Sequence, residues 1–372
     1  MFKIVVIFEH FKAVSKWSTW AKVKRLMVYI YMGVKRYTTT GDPMITKGCQ
    51  LCLQGAKMVL FVTGLCRFRC WYCPLSVNRW QKDVVYANER LITTDEDVIK
   101  EAALMDALGT GITGGDPLIR LDRTLHYAAL LKDEFSYHHI HMYTASYVDD
   151  TVLSQMEGLI DELRIHLIDF SDVSGVEKAL QYTFDVGVEI PMIPSRIKET
   201  ADLILKLKQV GIDFINLNQL EYTDRNILEI KKRGYTLHTD SGTVKGSESA
   251  ALALAHTEGV HYCSARDKDA LQLKNRFIRR AKNVCKPYEE IQDGLLVKGV
   301  ITCISHARAQ RVKALLLSKV DICESFIAVR GSRVETHWAL AEEARAWISE
   351  KIGIEKRHPT IDQPLIEYIP VE

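Results

Sequence analysis

Between residues 57 and 265, short apolar runs rich in β-branched residues alternate with longer stretches of helical periodicity. One run and the stretch that follows it together occupy roughly 25 to 50 residues, which suits a strand and its crossover helix. Crossovers of this kind place consecutive strands parallel and are right-handed. The alternation therefore predicts an α/β chain that forms a complete or partial parallel β/α barrel.

Seven of the apolar runs are predicted to be the strands of this barrel. They are Met58–Thr63, Gly111–Thr113, His139–Thr144, Leu163–Leu167, Val188–Met192, Phe214–Leu217 and Val260–Cys263. Helices are predicted between them. One begins at Thr93, which forms a capping box with Glu96, and ends at Gly109 as its C-cap. Another covers Thr200 to Val210.

The pattern changes near residue 293, after a basic helix predicted over Lys268–Lys282 with a solvated face. A small C-terminal α+β module is predicted from that point. Its segments are a strand at Leu295–Ile301, a helix at Ala307–Ser318, a strand at Ser325–Val329, a helix at Ala339–Ile352 and a strand at Pro364–Ile369. The chain is therefore divided into an appendage (1–41), the barrel (42–292) and the module (293–372).

The appendage differs from the rest of the chain in charge. Residues 1–41 hold eight Lys or Arg and one acidic residue, whereas the whole 372-residue chain has a formal net charge of only +2. The remainder is mildly acidic, which argues against a generally basic nucleic-acid-binding body. The appendage is interpreted in three ways: an arm for RNA or anionic lipid, an organelle transit segment, or sequence upstream of a true start at Met27, Met32 or Met44.

Nine cysteines are too few for a disulfide scaffold in a chain of 372 residues. No secretory signal is visible, and no apolar run reaches the ~18 residues that span a bilayer. We therefore expect a cytoplasmic protein with reduced thiols and no transmembrane segment. In that compartment, clustered cysteines bind metal more often than they bond to each other.

Cys66, Cys70 and Cys73 form a C-x3-C-x2-C loop directly after the first predicted strand. Three thiolates on one short loop can bind three irons of a cubane cluster and leave the fourth iron open to another ligand. The loop lies at the C-terminal end of a barrel strand, where the active sites of such barrels are built. The turn Gly114-Gly115-Asp116-Pro117 follows the second strand at the same edge, and its glycines allow close backbone approach to a small ligand.

These residues give the chain a resemblance to the radical S-adenosylmethionine (SAM) superfamily. The matching features are the cysteine loop, with the aromatic Tyr72 before its third cysteine, and the glycine-glycine-acid-proline turn. The acid is usually Glu in that superfamily and is Asp116 here. The longer sequence from Lys47 to Ser76 resembles archaeal proteins related to pyruvate formate-lyase activating enzymes.

The resemblance implies a [4Fe–4S] cluster on the three loop cysteines, with SAM as the second cofactor. It implies reductive cleavage of SAM to a 5′-deoxyadenosyl radical, which takes a hydrogen atom from a substrate, and an electron donor such as ferredoxin or flavodoxin. The SAM amino group would bind at Gly114, Gly115, Asp116 and Pro117, Tyr72 would pack beside the adenine, and Asp169 would contact the ribose. The substrate stays open among a protein glycine, a tRNA nucleoside and a small metabolite.

Four of the cysteines also fit a different kind of site. Cys49, Cys52, Cys70 and Cys73 have the spacing of a zinc ribbon, which would make the chain a nucleic-acid-binding module without catalysis. A ribbon does not explain Cys66 or the glycine turn, and it would run through the predicted strand Met58–Thr63. The enzyme interpretation is therefore favoured.

Cys49 and Cys52 precede the barrel, and Cys263 ends its seventh predicted strand. We expect these three thiols to share a second metal site near the barrel mouth, holding an iron–sulfur cluster or zinc. Among polar residues, His139 and His141 share a strand face and are interpreted as residues that fill or flank the barrel. Glu189 and Asn216 are interpreted either as hydrogen-bond partners of SAM or substrate or as a pair that bonds only to each other, and Asn218 and Glu221, past the sixth strand, are the candidate substrate contacts.

Overall fold

The computed structural model describes residues 45–372, and the interpretations given for residues 1–41 lie outside this range. The barrel region contributes eleven described strands. They are β1 (Lys57–Phe61), β2 (Tyr86–Ala87), β3 (Arg90–Leu91), β4 (Gly109–Thr113), β5 (His139–Thr144), β6 (Glu162–Ile165), β7 (Asp185–Met192), β8 (Phe214–Gln219), β9 (Leu237–His238), β10 (Thr243–Val244) and β11 (Val260–Cys263).

Nine of these strands form one sheet in the order β11-β8-β7-β6-β5-β4-β1-β2-β3. The seven strands from β11 to β1 pair in parallel, which confirms the predicted parallel β/α architecture. The short strands β2 and β3 add an antiparallel edge. Because β11 and β3 are the two ends of the sheet, the barrel is partial. Strands β9 and β10 form a separate hairpin.

The barrel region has ten described α-helices. They are α1 (Lys47–Leu53), α2 (Asp95–Leu104), α3 (Leu121–Glu134), α4 (Asp150–Met156), α5 (Ser174–Ala179), α6 (Ile197–Gln209), α7 (Ile227–Lys232), α8 (Ser247–Leu254), α9 (Ala265–Asp267) and α10 (Lys274–Val284). A π-helical stretch, Lys268–Leu273, joins the last two, so the predicted basic helix is real but irregular.

The two faces of the sheet differ in polarity because side chains alternate along each strand. One face carries buried apolar residues that pack in the main core with the surrounding helices, such as Met58, Leu60, Ile140 and Met142. The other face lines the barrel lumen and is polar. It carries Lys57, His139, His141, Glu162, Arg164, Glu189, Asn216 and Asn218.

Helix α1 enters this lumen at the N-terminal end of the strands. The backbone amide of Gly48 donates a 2.5 Å hydrogen bond to Oε1 of Glu162. A Cβ at Gly48 would lie 2.5 Å from the other carboxylate oxygen and 2.8 Å from Arg164, so only glycine fits here. The carboxylate of Glu162 thus accepts from an otherwise unpaired amide at the start of the helix. Helix α1 therefore brings Cys49 into the lumen.

The predicted caps of helix α2 were wrong by one residue at the start and by four residues at the end, where the C-cap is Met105. Thr94, not Thr93, is the N-cap, and the reciprocal carboxylate belongs to Asp97. The helix ends at Leu104, and Gly109 is the first residue of β4. A Cβ at Gly109 would lie 2.3 Å from the carbonyl oxygen of His139, so this glycine serves strand pairing and is no helix cap.

The C-terminal region forms a second sheet. Its elements are β12 (Glu290–Gln292), β13 (Leu295–Thr302), α11 (His306–Lys319), β14 (Ile327–Arg330), β15 (Arg333–Thr336), α12 (Trp338–Ala344), β16 (Lys351–Arg357) and β17 (Leu365–Pro370). The order β14-β15-β13-β16-β17 makes β13 to β16 a βαββαβ unit, extended at its edge by β17. The predicted helix Ala339–Ile352 was wrong beyond residue 344, because β16 pairs in a ladder between β13 and β17.

Helix α10 joins the barrel to the C-terminal sheet. Arg280 is only 4% exposed, and its guanidinium contacts Glu101 of α2 at 2.7 Å and the carbonyl oxygen of Pro359 at 2.5 Å. Arg279 donates to the carbonyl of Met105, near the end of α2. The expectation of a fully solvated basic face is therefore wrong for these residues. Among residues 45–372, no helix combines the length and apolarity needed to cross a bilayer.

Candidate functional site

A cleft with a cavity volume of about 230 Å³ opens at the C-terminal edge of the parallel strands. A concave pocket at this edge is the usual place for a cofactor or small-molecule site in such folds. Its lining comes from loops after β1, β4, β5, β6 and β8 and from strand ends below them. The lining includes Cys66, Cys70, Tyr72, Cys73, Trp80, Gly114, Gly115, Pro117, Tyr143, His166, Glu189, Asn218, Glu221 and Lys268.

The cysteine loop forms one wall of the cleft, and all three of its thiols line the cavity. Its first cysteine is held through the backbone, since Gln81 donates a 2.8 Å hydrogen bond to the carbonyl oxygen of Cys66. Within the loop, the amide of Cys73 donates to the carbonyl of Cys70 at 3.2 Å. Burial raises the pKa of the Cys66 and Cys70 thiols. For Cys70, a hydrogen bond with the Tyr72 hydroxyl lowers the pKa and offsets part of this increase.

The glycine turn is built directly onto the segment that leads into the cysteine loop. The amide of Gly115 donates to the carbonyl of Thr63 at 2.7 Å, and the amide of Asp116 donates to the carbonyl of Leu65 at 2.8 Å. A Cβ at Gly114 would lie 2.3 Å from the Thr63 oxygen, and one at Gly115 would lie 2.2 Å from the Leu65 oxygen. The glycines are therefore required for contact between turn and loop, in addition to any role toward a ligand.

Asp116 is fully buried, and its carboxylate points away from the cleft. Oδ1 accepts from the Leu118 amide at 3.0 Å and the Thr144 hydroxyl at 2.9 Å. Oδ2 accepts from the Ala145 amide and from both the amide and the hydroxyl of Ser146. The expectation that this side chain binds a cofactor needs correction. It ties the turn to the end of β5, and a Glu here would need a wider pocket.

Pro117 lines the cleft as the first residue of a 3-10 turn, Pro117–Arg120. Tyr72 also lines it, and its hydroxyl is 3.0 Å from Nε2 of His166. Burial raises the pKa of Tyr72 and lowers that of His166, so both groups are held neutral. His166 was not predicted as a site residue, although this histidine directly follows β6 at the edge where the site lies.

Asp169 does not reach the cleft. Strand β6 ends at Ile165, and the chain has turned to the surface by residue 169, where Asp169 is exposed. Its carboxylate accepts from the amide and the hydroxyl of Ser171, and these bonds lower its pKa. The predicted ribose contact is therefore not formed by this residue, because the strand ends two residues earlier than expected. His166 is the residue after β6 that lines the cavity.

The floor of the cleft is a buried ion pair. Glu189 accepts from Arg164 and Asn216 through one oxygen, both at 2.9 Å, and from Asn218 through the other at 2.8 Å. Burial alone would raise the pKa of Glu189, but the Arg164 charge and the two amides outweigh it and lower the pKa. At the rim, Lys268 pairs with Glu221. Arg164 was not anticipated, although a charged residue inside an apolar strand is a signal for a lumen position.

The predicted second metal site is not assembled in this structure. Cys49 lies below the floor, with its sulfur 3.4 Å from Arg164 and 3.6 Å from Asn216. Cys263 pairs with Asn218 across β11 and β8, one side-chain layer nearer the mouth, and Gln272 contacts its sulfur at 3.6 Å. Burial raises the pKa of Cys52 to about 11 and of Cys263 to about 12. Helix α1 does not double back to the mouth, so Cys49, Cys52 and Cys263 do not form the expected group.

Within residues 45–372, no three His, Cys, Asp or Glu side chains already converge closely enough to hold a metal ion. The cysteine loop fits an iron–sulfur cluster by the chemistry of its donors. Three thiols, the ligands that iron–sulfur clusters use, line one wall of the cavity together. The zinc ribbon does not fit, because Cys49 and Cys52 lie on α1 while Cys70 and Cys73 lie beyond the far end of β1. A five-residue strand such as β1 spans roughly 17 Å.

The fold and the cleft define an enzyme built on a partial β/α barrel, with a thiol-lined site at the C-terminal edge of the sheet. A family model described as the radical SAM superfamily matches residues 60–185. A protein of Methanocaldococcus jannaschii, described as "Putative glycyl-radical enzyme activating enzyme", is 36% identical over 363 residues, which cover 91% of this chain and 96% of that protein. The chain therefore belongs to the radical SAM superfamily.

The C-terminal region matches a second family model, and two solved structures are similar to the chain. A family model described as a domain of unknown function, DUF8061, matches residues 294–371. The structure of Streptococcus suis SuiB bound to S-adenosylmethionine is similar with a TM-score of 0.37 and 9% identity, covering 66% of this chain and 60% of that one. A spore photoproduct lyase variant is similar with a TM-score of 0.38 and 11% identity, covering 65% and 93%.

Proposed function

We propose that this enzyme uses a [4Fe–4S] cluster to cleave SAM and abstracts hydrogen from a glycine residue of a partner protein. One observation carries the first half of the proposal. The three thiols of the loop and the Gly114–Pro117 turn line the same cleft at the C-terminal edge of seven parallel strands. Membership of the radical SAM superfamily supports it.

In this proposal Cys66, Cys70 and Cys73 hold the cluster. When bound there, the cluster would supply the single electron for reductive cleavage of SAM to methionine and a 5′-deoxyadenosyl radical. The backbone of Gly114 and Gly115 borders the cleft beside the thiols, where it would receive the amino group of SAM. Tyr72 and His166, both neutral, offer a ring surface for the adenine on the same side of the cleft.

The floor of the cleft places polar groups at fixed positions, and its charged carboxylate, Glu189, is paired with Arg164. Glu189 is ionised, yet its oxygens are already occupied by Arg164, Asn216 and Asn218. It therefore orients the two asparagines, and it stays ionised because its pKa is lowered. The Glu189 carboxylate is thereby fixed in place, whereas the buried side-chain oxygens of Asn216 and Asn218 accept no hydrogen bond from the described residues.

The second half of the proposal rests on the relative from Methanocaldococcus jannaschii, whose description names an activating enzyme for a glycyl-radical enzyme. A protein substrate of that kind would present a glycine to the open side of the cleft. The electron would come from a ferredoxin or flavodoxin. These donors and the reduced thiols of the loop are typical of a reducing compartment such as the cytoplasm.

The enzyme class can be tested by anaerobic reconstitution with iron and sulfide, followed by addition of SAM and dithionite. Release of 5′-deoxyadenosine and methionine is expected, and protein treated with zinc alone should release neither. A reconstituted protein with the absorbance of a [4Fe–4S] cluster that leaves SAM intact would contradict the proposal.

The substrate class can be tested with peptides that each contain one glycine dideuterated at its α-carbon. If a glycine is the hydrogen donor, deuterium appears in 5′-deoxyadenosine from at least one peptide, and mass spectrometry detects it. Matched peptides in which the deuterium is placed on alanine serve as controls. Deuterium transfer from a labelled nucleoside or metabolite, with none from any glycine peptide, would overturn the glycine assignment and leave SAM cleavage intact.

A further inference from the structure

A segment between β8 and α8, residues 221–246, lies against the outer side of the cysteine loop. It contains α7 and the β9–β10 hairpin, and we call it the clamp segment. Its buried Ile230 and Val244 form a small apolar cluster that Trp71 and Tyr72 of the loop pack against. The cluster is separate from the main core of the barrel. The loop is therefore supported by an element that the parallel sheet does not require.

Two consecutive residues of the clamp segment bind two consecutive carbonyl groups of the loop. The side-chain amide of Asn226 donates to the carbonyl of Tyr72 at 3.0 Å. The guanidinium of Arg225 donates to the carbonyl of Cys73 at 3.2 Å. The other end of the loop is held differently, by Gln81 at the carbonyl of Cys66. The clamp segment thus fixes the end of the loop that carries the third thiol.

Asn226 is built for this contact. It is fully buried, and its amide nitrogen also donates to the carbonyl of Glu221 at 3.1 Å. Its oxygen accepts from the amide of Thr223 at 2.7 Å. Three of the four hydrogen bonds that an asparagine side chain can form are therefore made, two of them within the clamp segment and one to the loop. The side chain has little freedom to leave the Tyr72 carbonyl.

Aromatic and cationic groups reinforce the same junction. The ring of Trp71 stacks on Tyr235 with centroids 5.8 Å apart and 6° between planes. Arg233 lies 4.6 Å from the centre of the Trp71 ring, and Arg225 lies 4.6 Å from the centre of the Trp80 ring. Two cations of the clamp segment thus lie over tryptophans next to the thiols.

From these contacts we infer that Asn226 and Arg225 are positioning residues, which fix the Tyr72–Cys73 end of the loop and set the electrostatic environment of its metal group. The inference rests on the proposed function for the identity of that group. Hydrogen-bonded groups behind a metal ligand hold it in place, and their loss typically weakens metal binding 10- to 100-fold. Arg225 has a second effect, because a positive charge beside a cluster favours its reduced, more negative form.

The test compares Asn226→Ala and Arg225→Gln with two matched controls on α10. Asn283→Ala removes an asparagine that donates to the carbonyl of Leu104, and Arg279→Gln removes an arginine that donates to the carbonyl of Met105. Both controls delete a side-chain contact to a carbonyl far from the loop. Hydrogen exchange of the apo proteins is measured over residues 66–73, followed by cluster loss to a chelator and the midpoint potential after reconstitution.

For Asn226→Ala we expect faster exchange at the Cys73 amide and cluster loss accelerated about 10- to 100-fold. For Arg225→Gln we expect a more negative midpoint potential, and this residue is half-buried whereas Asn226 is fully buried. The controls should match the parent in all three measurements. Exchange unchanged by Asn226→Ala, together with an unchanged potential for Arg225→Gln, would overturn the inference.

The outcome is separable from the proposed function. If the parent protein assembles no cluster, the proposed function fails, and exchange in the apo proteins still decides whether the clamp segment holds the loop. If the parent cleaves SAM and the clamp variants behave as the parent in exchange, cluster retention and potential, only the inference fails. If Asn226→Ala does not fold, the exchange and potential of Arg225→Gln decide.

Discussion

The backbone amide of Asp116 donates a 2.8 Å hydrogen bond to the carbonyl oxygen of Leu65, one residue before the first loop cysteine. A second bond runs from Gly115 to Thr63 at 2.7 Å. The glycine turn and the start of the cysteine loop are therefore one rigid unit, although the bonded residues are 51 and 52 positions apart in the chain. A change in the turn is expected to alter both the metal ligands and the SAM pocket.

Gly115→Ala should reduce iron content and SAM affinity together. The new Cβ would lie 2.2 Å from the Leu65 oxygen and 2.6 Å from the Gly64 oxygen, which are backbone atoms that cannot rotate away. Such overpacking costs about 1 to 3 kcal/mol or more and must displace the loop. This differs from the expectation that glycine serves ligand approach alone. Iron per chain after reconstitution and SAM binding by calorimetry measure both effects.

Gly175→Ala is the matched control for that variant. Its Cβ would meet Tyr147 at 3.6 Å, an ordinary contact, and Gly175 lies inside helix α5. Alanine is favoured over glycine in a helix by roughly 0.5 to 1 kcal/mol, so iron content should be unchanged and stability equal or higher. Full iron binding and normal SAM affinity in Gly115→Ala would contradict the coupling of turn and loop.

Cys70→Ala should abolish the brown cluster chromophore and SAM cleavage. It removes one of the three thiols that line the cleft, and no other residue on that wall offers a replacement thiol within the described residues. Cys323→Ala, at an exposed position in the C-terminal module, is the control and should retain both. Visible absorbance measures the cluster, and the yield of 5′-deoxyadenosine measures SAM cleavage. Cleavage at the parent rate in Cys70→Ala would show that this loop does not hold the cluster.

Asp116→Asn should destabilise the protein by at least about 2 kcal/mol, because buried donors lose their acceptor. The carboxylate accepts five hydrogen bonds. In the asparagine variant one of the two oxygens becomes an NH₂ group, which cannot accept a hydrogen bond from the donors that face it. Denaturant unfolding of the apo protein measures the loss. Asp122→Asn, an exposed residue at the start of α3, should change stability by less than about 0.5 kcal/mol. Equal effects of the two variants would argue against the buried network.

Asp169→Ala should leave SAM affinity within about twofold of the parent, since the exposed carboxylate binds only Ser171 within its own turn. His166→Ala should weaken SAM binding, because His166 lines the cleft and contacts Tyr72. Calorimetric titration of both variants distinguishes the two positions. A tenfold loss of affinity in Asp169→Ala alone would restore the prediction made from the sequence.

Lys57 predicts a pH dependence of stability. The residue is only 1% exposed, and burial lowers the pKa of its amine to about 7 from an ordinary value near 10.5. Between these two values the unfolded chain binds more protons at this residue than the folded chain, so stability rises with pH. The rise is at most about 1.4 kcal/mol per pH unit for one group.

Lys57→Met removes the titrating amine and should remove this part of the slope. Unfolding of the apo proteins is measured under anaerobic conditions between pH 7.5 and 9.5. The parent should gain stability relative to the variant as pH increases over that range. Parallel curves for the two proteins would show that the lysine is not held neutral in the lumen.

The strands and the three cysteines of the loop could be predicted from the sequence because their signals are local. Strands β5 and β11 have the predicted bounds, since each is a short apolar run flanked by turn residues. The loop cysteines were recognised from a spacing of three and two residues. Arg164 and His166 were missed, although a polar residue within or just after an apolar strand is a signal for a lumen position, because the sequence does not show which groups of the neighbouring strands each residue faces.

What the sequence by itself determined is the class of fold and the loop that carries the chemistry. Periodicity decides which residues face the helices, and three closely spaced thiols need no distant element to lie together. What only the tertiary structure decided is where remote segments meet. It directed the Asp116 carboxylate into β5, brought helix α1 into the N-terminal end of the lumen, and placed Asn226 against Tyr72. These contacts join residues 28 to 154 positions apart, and sequence spacing carries no record of them because they depend on how strands and loops are arranged in the folded chain.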